Sequence, residues 1–243
     1  MKKIYGLLGR NISYSFSKKY FSEKFEKENL NCQYDNFDIK QIDEIKNIVK
    51  NTEIKGLNVT IPYKEEIIEY LDDLDPIAKQ IGAVNVIKFN ADQKLIGYNS
   101  DYYGFTESLK PLLNPSIKKA LILGTGGASK AIAFALTQLD IHYNFVSRNP
   151  DFNELSYNDL DEDIIQDFKL IINCTPLGTH PNIDNHPDIP YEYLTENHVL
   201  YDLIYNPSET TFMKKGVQKG AKVTNGLQML ILQAEKAWAT WNG

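Results

Sequence analysis

The stretch LILGTGGASKAIAFAL, residues 121–136, decides the fold of this chain. An apolar run enters a cluster of small residues, and an alanine-rich run typical of a helix follows. Gly124 can make the tight turn, and Gly126 removes a Cβ where a pyrophosphate has to approach the backbone. Gly127 and Ala128 allow close packing of helix on strand and leave the helix N-terminus open to an anion. Together these features predict a dinucleotide-binding unit, with a plain tight turn as the alternative.

The strand after this loop indicates which dinucleotide binds. It reads HYNFV (142–146) and ends in Ser147-Arg148-Asn149, with neither Asp nor Glu at its tip. NAD sites usually carry an acid there for the ribose hydroxyls, whereas a guanidinium suits a 2′-phosphate through paired, charge-assisted hydrogen bonds. We therefore predict NADP(H) as the cofactor, the alternative being that Arg148 is only a solvated arginine at a strand end.

The overall composition bounds the class of protein. With 243 residues, of which 42% are hydrophobic, the chain can form two modest domains or one large one. The formal net charge of -6 argues against a nucleic-acid partner, and no apolar window approaches the length of a membrane span. The apolar run at the start is too short for a signal peptide, and two cysteines predict no disulfide framework, so we expect a cytoplasmic protein.

Strand-like and helix-like segments alternate along the chain. Strands are predicted at residues 4–9, 32–39 and 56–61 with helices between them, and residues 83–99 read as two strands joined by a short connection. The alternation restarts before the glycine loop and predicts βαβ units, with a parallel sheet covered by helices on both faces. The predicted fold class is therefore α/β, with a junction between two domains near residues 100–105.

The stretch NVTIPYKEE, residues 58–66, places a lysine where a helix is expected to begin. NVTI alternates like a strand, while Pro62 and the acidic residues that follow predict the first turn of a helix. A cation there opposes the helix dipole, but positive potential lowers the pKa of a lysine and so suits it to proton transfer. Lys64 is therefore a candidate catalytic residue, with a surface lysine as the alternative.

Two further polar clusters accompany this lysine. The first is NSD (99–101) at the predicted domain junction, where Asp101 can either cap a helix or pair with Lys64. The second is the serine-rich loop after the first strand. Ser15 and Ser17 stand on alternate positions there and can direct two hydroxyls to one side, although helix capping is the ordinary use of one such serine.

Taken in order, these motifs resemble the shikimate dehydrogenase family nearly end to end. Residues 9–18 correspond to the family's serine-bearing N-terminal segment, and NVTIPYKEE corresponds to its Asn-Val-Thr-x-Pro-x-Lys motif. Counterparts also exist for GAVN (82–85), NSDYYG, GTGGAS, NCTPLG (173–178), YDLIYNPSETTFM (201–213) and NGLQMLILQAEKAW (225–238). The resemblance implies two domains, an N-terminal α/β substrate domain and a Rossmann-like doubly wound parallel-sheet nucleotide domain.

The resemblance also implies a role for each motif residue. Lys64 and Asp101 would form the catalytic pair. Residues 1–102 with 226–243 would form the substrate-binding and catalytic domain, and residues 103–225 the NADP-binding domain. The residues implied to bind the substrate are Ser15, Ser17, Thr60, Asn85, Tyr205 and Gln233. Those implied to hold NADP(H) are Gly124, Gly126, Gly127, Ala128, Ser129, Ser147 and Arg148, and no metal is implied.

The implied reaction is the reversible reduction of 3-dehydroshikimate to shikimate by NADPH, a step in the biosynthesis of aromatic amino acids. Lys64 would donate the proton to the carbonyl oxygen, and Asp101 would orient the lysine. The expected partner is the small-molecule substrate, with neither nucleic acid nor membrane, and the chain would act as a monomer or a homodimer.

Departures from the family pattern leave alternatives open. The serine loop has Tyr14 where the family has His, so its shape is expected to differ. Phe152 stands where a second arginine is common, so we expect either weaker binding of NADP or a modest preference for NADP over NAD. A quinate/shikimate dehydrogenase, a short-chain or methylene-tetrahydrofolate type dehydrogenase and a non-catalytic NADP-binding regulator are the alternatives. His180 and His186, in a proline-rich loop, are interpreted as surface residues because their spacing fits no standard metal site.

Overall fold

The computed structural model describes residues 2–13 and 15–243, so Tyr14 lies outside the described residues. The chain forms two compact units, one made of Met1–Ser100 with Ala234–Gly243 and the other of Asp101–Gln233. This division differs from the predicted border after residue 102, and it places residues 226–233 in the second unit rather than the first. No helix among the described residues is long and apolar enough to cross a membrane.

The first unit is built on a mixed sheet of the order β2-β1-β3-β5-β6-β4. Its strands are β1 (Lys3–Gly9), β2 (Cys32–Asp38), β3 (Ile54–Val59), β4 (Asp73–Leu74), β5 (Val86–Phe89) and β6 (Leu95–Tyr98). β1 pairs in parallel with β2 and β3, whereas β5 is antiparallel to both β3 and β6. The predicted strands at 4–9 and 32–39 and the predicted strand pair at 83–99 are therefore confirmed.

Apolar layers cover both faces of this sheet because successive strand residues point to opposite sides. The helices of the first unit are α1 (Phe16–Lys27), α2 (Ile45–Ile48) and α3 (Pro76–Ile81), with a 3-10 turn at Ile42–Glu44. On one face Leu8 of β1 packs with Ile45. On the other face Tyr5 packs with Phe21 of α1 and with Trp241 from the C-terminal helix.

The prediction of a helix that begins after Pro62 is wrong. Residues 61–65 form turns, and only a short 3-10 helix follows at Glu66–Tyr70. Two long-range contacts account for the difference. The buried Tyr63 donates its hydroxyl to the Ile39 carbonyl at 3.1 Å, and the Lys64 carbonyl accepts from a distant backbone N–H instead of from a helical neighbour. Lys64 therefore does not stand in the first turn of an α-helix, and the helix-dipole reason for its chemistry no longer applies.

The second unit contains a parallel sheet of the order β12-β11-β10-β7-β8-β9. Its elements in chain order are α4 (Asp101–Leu109), β7 (Lys119–Leu123), α5 (Gly127–Gln138), β8 (His142–Ser147), β9 (Leu155–Ser156), α6 (Glu162–Asp167), β10 (Leu170–Asn173), β11 (Val199–Asp202), α7 (Thr211–Gln218) and β12 (Lys222–Thr224). The C-terminal helix α8 (Leu227–Asn242) begins in this unit, and its residues from Ala234 onward belong to the first unit. All of its strand pairs are parallel.

Short apolar runs form the central strands of this sheet, as expected for strands that are buried on both faces. Ile122 and its neighbours on one face pack against α4 and α5, and Leu121 and Leu123 on the other face pack with residues of α6 and α7. Helices thus cover both faces, which confirms the predicted α/β class and the doubly wound parallel sheet of the second unit.

Candidate functional site

One edge of the first sheet collects most of the predicted substrate residues. β1 and β3 run in parallel and end at this edge, and because β5 and β6 are antiparallel to each other, β5 starts and β6 ends there too. The predicted residues that follow or precede these strand ends are Ser15, Ser17, Thr60, Lys64 and Asn85. The topology therefore brings to one edge of the sheet residues that lie up to 70 positions apart in the sequence, from Ser15 to Asn85.

Lys64 lies in the turns that follow β3. The Thr60 N–H donates to the Leu8 carbonyl at 2.9 Å, which continues the pairing of the two strands beyond the end of β3. The Thr60 carbonyl then accepts from Tyr63 N–H at 3.0 Å, and the Lys64 carbonyl accepts from Val84 N–H at 2.7 Å. The backbone of the lysine is thus held on both sides by bonds to neighbouring strands and turns, and its side chain is half-buried.

The two serines differ in their local roles. Ser15 is the N-cap of α1, where its hydroxyl accepts from Lys18 N–H at 3.2 Å. Ser17 forms a side-chain hydrogen bond with Tyr34, whose own hydroxyl donates to Asn58 Oδ1 at 2.7 Å. Burial raises the pKa of Tyr34, so this phenol stays neutral and keeps its proton for Asn58.

Asn85 is buried at the start of β5. Its Oδ1 accepts from Ser100 N–H at 2.6 Å, and its Nδ2 donates to Ser100 Oγ at 3.1 Å. Asn99 donates through Nδ2 to the Ala83 carbonyl at 2.9 Å. These bonds hold the segment after β6 against the segment before β5. Asp101 comes next in the chain, as the buried first residue of α4.

The glycine loop of the second unit connects β7 to α5. Gly124 has φ 97°, a conformation that favours glycine, and its N–H donates to the Val146 carbonyl at 2.9 Å. Ser129 is buried, and its hydroxyl donates to the Gly126 carbonyl at 2.6 Å. The predicted turn is therefore present, and Gly127, Ala128 and Ser129 open α5 as the sequence indicated.

At Gly126 neither the backbone angles nor the packing of the protein's own atoms excludes a larger side chain. It is the N-cap of α5 with φ -75° and ψ 176°, an ordinary extended conformation for any residue. A Cβ built there would meet nothing within 4 Å. An open approach to the backbone at a helix N-terminus is what a pyrophosphate needs, so this position fits a dinucleotide.

A cavity of about 560 Å³ adjoins this loop. It lies outside the carboxyl ends of β7, β8 and β10, where the strand order changes direction, which is the usual ligand position in an open α/β sheet. Its lining residues are Gly124, Thr125, Gly126, Val146, Ser147, Arg148, Tyr157, Cys174, Thr175, Pro176, Leu177, His186 and Asp188. The structure therefore brings four of the seven predicted cofactor residues, Gly124, Gly126, Ser147 and Arg148, to one cavity.

Arg148 is exposed at the end of β8 and lines the cavity. Burial raises the pKa of Tyr157, and the Arg148 guanidinium acts on that phenol in the opposite direction, so the two groups are neighbours. Ser147 accepts from Asn149 N–H at 3.2 Å, which shapes the turn that carries the arginine.

A buried polar network adjoins the cavity through Thr175, one of the lining residues. Asp202, at the end of β11, accepts from Thr210 Oγ1 at 2.6 Å, from Asn173 Nδ2 at 3.0 Å and from Ile204 N–H at 3.0 Å. Asn173 in turn accepts from Thr175 Oγ1 at 2.6 Å. Burial raises the pKa of Asp202 to about 6, although the three hydrogen bonds act to lower it. The network fixes the course of the loop that begins at Asn173.

The remaining two predicted substrate residues lie in the second unit. Tyr205 is half-buried after β11, and burial raises the pKa of its phenol. Gln233 is buried on α8 near Gly104 of α4, where a Cβ would lie 3.0 Å from the Gln233 Cβ. The glycine thus lets α4 and α8 pack closely at the position of Gln233.

Sequence reasoning missed several residues of this cavity. Tyr157, His186 and Asp188 come from connections whose course no local pattern specifies. His186 lies in the proline-rich loop, is half-buried and lines the cavity, which the sequence did not indicate. One sequence feature could have indicated that His186 lies near the cavity: the proline-rich loop directly follows the NCTPLG motif. Across residues 2–13 and 15–243, no group of three His, Cys, Asp or Glu side chains could hold a metal ion.

Comparison with known proteins agrees with this geometry. Residues 7–87 match the family described as "Shikimate dehydrogenase substrate binding domain". The chain is 43% identical over 249 residues to the shikimate dehydrogenase (NADP(+)) of Clostridium botulinum, which covers 97% of this chain and 95% of that relative. It is 38% identical to the shikimate dehydrogenase (NADP(+)) of Methanococcus maripaludis, over 99% of this chain and 91% of that relative.

A solved structure extends the comparison to the fold. Shikimate 5-dehydrogenase from Thermus thermophilus, in complex with NADP(H) and shikimate, matches with a TM-score of 0.86 and 29% identity, over 99% of this chain and 94% of that chain. The parallel sheet, its glycine loop and its cavity define a dinucleotide-binding α/β protein. Similarity over the whole length then assigns the chain more narrowly: it belongs to the shikimate dehydrogenase family, which confirms the family predicted from the motifs.

Proposed function

We propose that this protein catalyses the reversible, NADPH-dependent reduction of 3-dehydroshikimate to shikimate. The observation that supports the proposal is the strand order of the first sheet, which brings Lys64 to the same edge as the hydroxyl and amide residues Ser15, Ser17, Thr60 and Asn85. Reduction of a ketone needs a proton donor for the oxygen on which negative charge develops. Hydroxyl and amide groups around that donor suit a ring that carries several hydroxyls, because such groups strongly reject analogues that cannot pair with them.

The catalytic roles follow from the chemistry of the side chains. Lys64 donates a proton to the carbonyl oxygen of the substrate and takes it back in the reverse reaction. Asp101 is the carboxylate that orients the lysine ammonium and accepts from the substrate hydroxyl. NADPH, when bound, supplies the hydride. The residues proposed to bind the substrate are Ser15, Ser17, Thr60, Asn85, Tyr205 and Gln233.

The residues of the second unit fit NADP(H). Gly126 leaves its backbone open at the N-terminus of α5, where a pyrophosphate is stabilised by free N–H groups. Arg148 in the same cavity suits a 2′-phosphate. The proposed cofactor set is Gly124, Gly126, Gly127, Ala128, Ser129, Ser147 and Arg148. The proposed domains are residues 1–102 with 226–243 for substrate binding and catalysis, and residues 103–225 for NADP binding. A cytoplasmic location and a monomeric or dimeric state stay predictions.

Replacement of the lysine tests the proposal. Lys64→Met should lower kcat for shikimate oxidation by about 10²–10⁴-fold, with much smaller changes in the KM values, because it removes proton transfer but not binding. Lys79→Met is the matched control, since Lys79 is an exposed lysine on α3 of the same unit and should leave kcat unchanged. Turnover near that of the unmodified protein in Lys64→Met would refute the catalytic role.

The choice of substrate and cofactor is read from the absorbance of the reduced nicotinamide. Shikimate and quinate are each assayed with NADP and with NAD. The proposal expects the highest kcat/KM for shikimate with NADP. Faster oxidation of quinate would instead identify a quinate dehydrogenase, and cofactor binding without oxidation of either substrate would identify a non-catalytic regulator.

A further inference from the structure

The cofactor cavity contains a second group that can carry positive charge besides Arg148. A 2′-phosphate carries a charge of about −1.5 to −2 near neutral pH, and one guanidinium neutralises only part of it. Among the described residues that line the cavity, Arg148 and His186 are the side chains able to carry positive charge. Asp188 also lines the cavity, and its negative charge repels a phosphate. A second positive group would offset that repulsion.

The orientation of His186 is fixed by its own loop. Its Nδ1 lies 3.1 Å from the Asp184 carbonyl oxygen, which can only accept, so Nδ1 carries the proton. Nε2 is then the remaining polar atom of the ring, and a second proton on Nε2 makes the ring a cationic donor. The ring centroid lies 5.8 Å from that of Tyr191, a buried phenol whose hydroxyl donates to the Pro187 carbonyl at 2.7 Å.

Charged and titratable groups from several elements line the same cavity as this imidazole or pack near it. Arg148 stands at the end of β8, Tyr157 follows β9, and Asp188 lies on the same loop as the histidine. Lys215 of α7 lies with its Nζ 4.9 Å from the centroid of the Tyr191 ring, on which the histidine also packs, and it does not line the cavity. Tyr191 itself is a phenol whose pKa is raised by burial, so it stays neutral.

We propose that His186 binds the 2′-phosphate of NADP(H) together with Arg148, taking up a proton on Nε2, and thereby sets the preference of this chain for NADP over NAD. The inference rests on the proposed function for its choice of cofactor. The position of a second arginine common in the family is occupied by Phe152, whose side chain is fully exposed and does not line the cavity. His186 supplies from another loop the positive charge that this position lacks.

The test compares kcat/KM for NADP with that for NAD in matched variants. His186→Gln keeps a polar side chain but cannot become cationic, and it should lower the NADP/NAD ratio by about tenfold, mainly through KM for NADP, while KM for shikimate is unchanged. His186→Arg should restore the ratio. His180→Gln is the control, because His180 is an exposed histidine of the same loop that does not line the cavity. An unchanged ratio in His186→Gln would overturn the proposal.

Calorimetry provides a readout that is independent of catalysis. Binding of 2′,5′-ADP and of 5′-AMP is measured in two buffers that differ in ionisation enthalpy, with Arg148→Ala as the reference for loss of affinity. The unmodified protein should take up a proton with 2′,5′-ADP but not with 5′-AMP, and His186→Gln should show no uptake. Equal uptake in His186→Gln would overturn the role of the histidine. If the protein oxidised neither shikimate nor quinate, the proposed function would fail, and these binding data would still decide the role of His186.

Discussion

Glycines serve different purposes in the two units of this protein. In the first sheet a Cβ at Gly56 would lie 2.3 Å from the ring of Trp241, and one at Gly6 would lie 2.4 Å from the ring of Phe37. At Gly126 in the second unit a Cβ would meet nothing within 4 Å. The first two positions make room for the protein's own aromatic side chains. The third leaves a space that no atom of the protein occupies. This difference distinguishes a glycine needed for packing from one needed for binding a ligand.

The largest effect is expected where the protein fills the space. Gly56→Ala should lower the free energy of unfolding by about 3 kcal/mol, because the Trp241 ring, whose Nε1 donates to the Ile87 carbonyl at 3.0 Å, has to move. Denaturant unfolding measures this change. If Gly56→Ala were as stable as the unmodified protein, Gly56 would not be needed for the packing of Trp241, and the contrast with Gly126 would fail.

The two units also differ in whether their buried polar groups can ionise. In the first unit Tyr34 and Asn58 form a neutral pair, whereas in the second unit Asp202 is ionisable. Burial raises the pKa of Asp202 from 3.8 to about 6, so the folded state holds this proton more tightly than the unfolded chain. Its contribution to stability is therefore complete below about pH 4 and is lost as the pH rises through about 6.

Asp202→Asn should remove the decrease in stability that ionisation of Asp202 causes as the pH rises. Relative to the unmodified protein, the free energy of unfolding of the variant should rise by on the order of 2 kcal/mol between pH 4 and pH 7. Denaturant titrations at several pH values measure the difference, and Asp163→Asn, at an exposed position of α6, should show no such trend. A parallel pH dependence in Asp202→Asn and the unmodified protein would exclude Asp202 as its source.

The smallest effect on stability is expected at the open glycine. Gly126→Ala should lower the free energy of unfolding by no more than about 1 kcal/mol, because its backbone angles suit alanine and its Cβ meets nothing, and the remaining cost is that alanine is a poorer helix N-cap than glycine. Affinity for NADP should nevertheless fall by about tenfold, since the methyl group occupies the approach of the pyrophosphate. Thermal unfolding with and without NADP measures both quantities. Loss of stability without loss of affinity would reverse the interpretation of this position.

Local sequence patterns were sufficient where local physics decides the structure. The apolar run before Gly124 and the alanine-rich run after Gly126 form β7 and α5, and the short connection after residue 90 joins β5 to β6. In both cases the turn residues and the periodicity of the flanking segments carry the same information. The glycine loop could therefore be located and its ligand class inferred from one stretch of sequence.

Local patterns failed where distant contacts decide the structure. The run after Pro62 has acidic residues and apolar spacing suited to a helix, but the Lys64 carbonyl bonds to Val84 N–H, and Tyr63 is buried against Ile39. These partners lie 20 or more residues away, so no window around the lysine indicates them. His186 is a similar case, because its place in the cavity depends on how the proline-rich loop returns toward the end of β8.

The aromatic cluster behind Gly56 gives the molecule a built-in optical reporter. The chain has two tryptophans, Trp238 and Trp241, and both lie in the first unit, packed with Tyr5 at ring-centroid distances of 5.3 and 4.9 Å. Intrinsic tryptophan fluorescence therefore follows the loosening of that unit alone, while far-ultraviolet circular dichroism follows the helices and strands of both. Melting curves recorded with the two signals would separate the unfolding of one half of the molecule from that of the other without any added label.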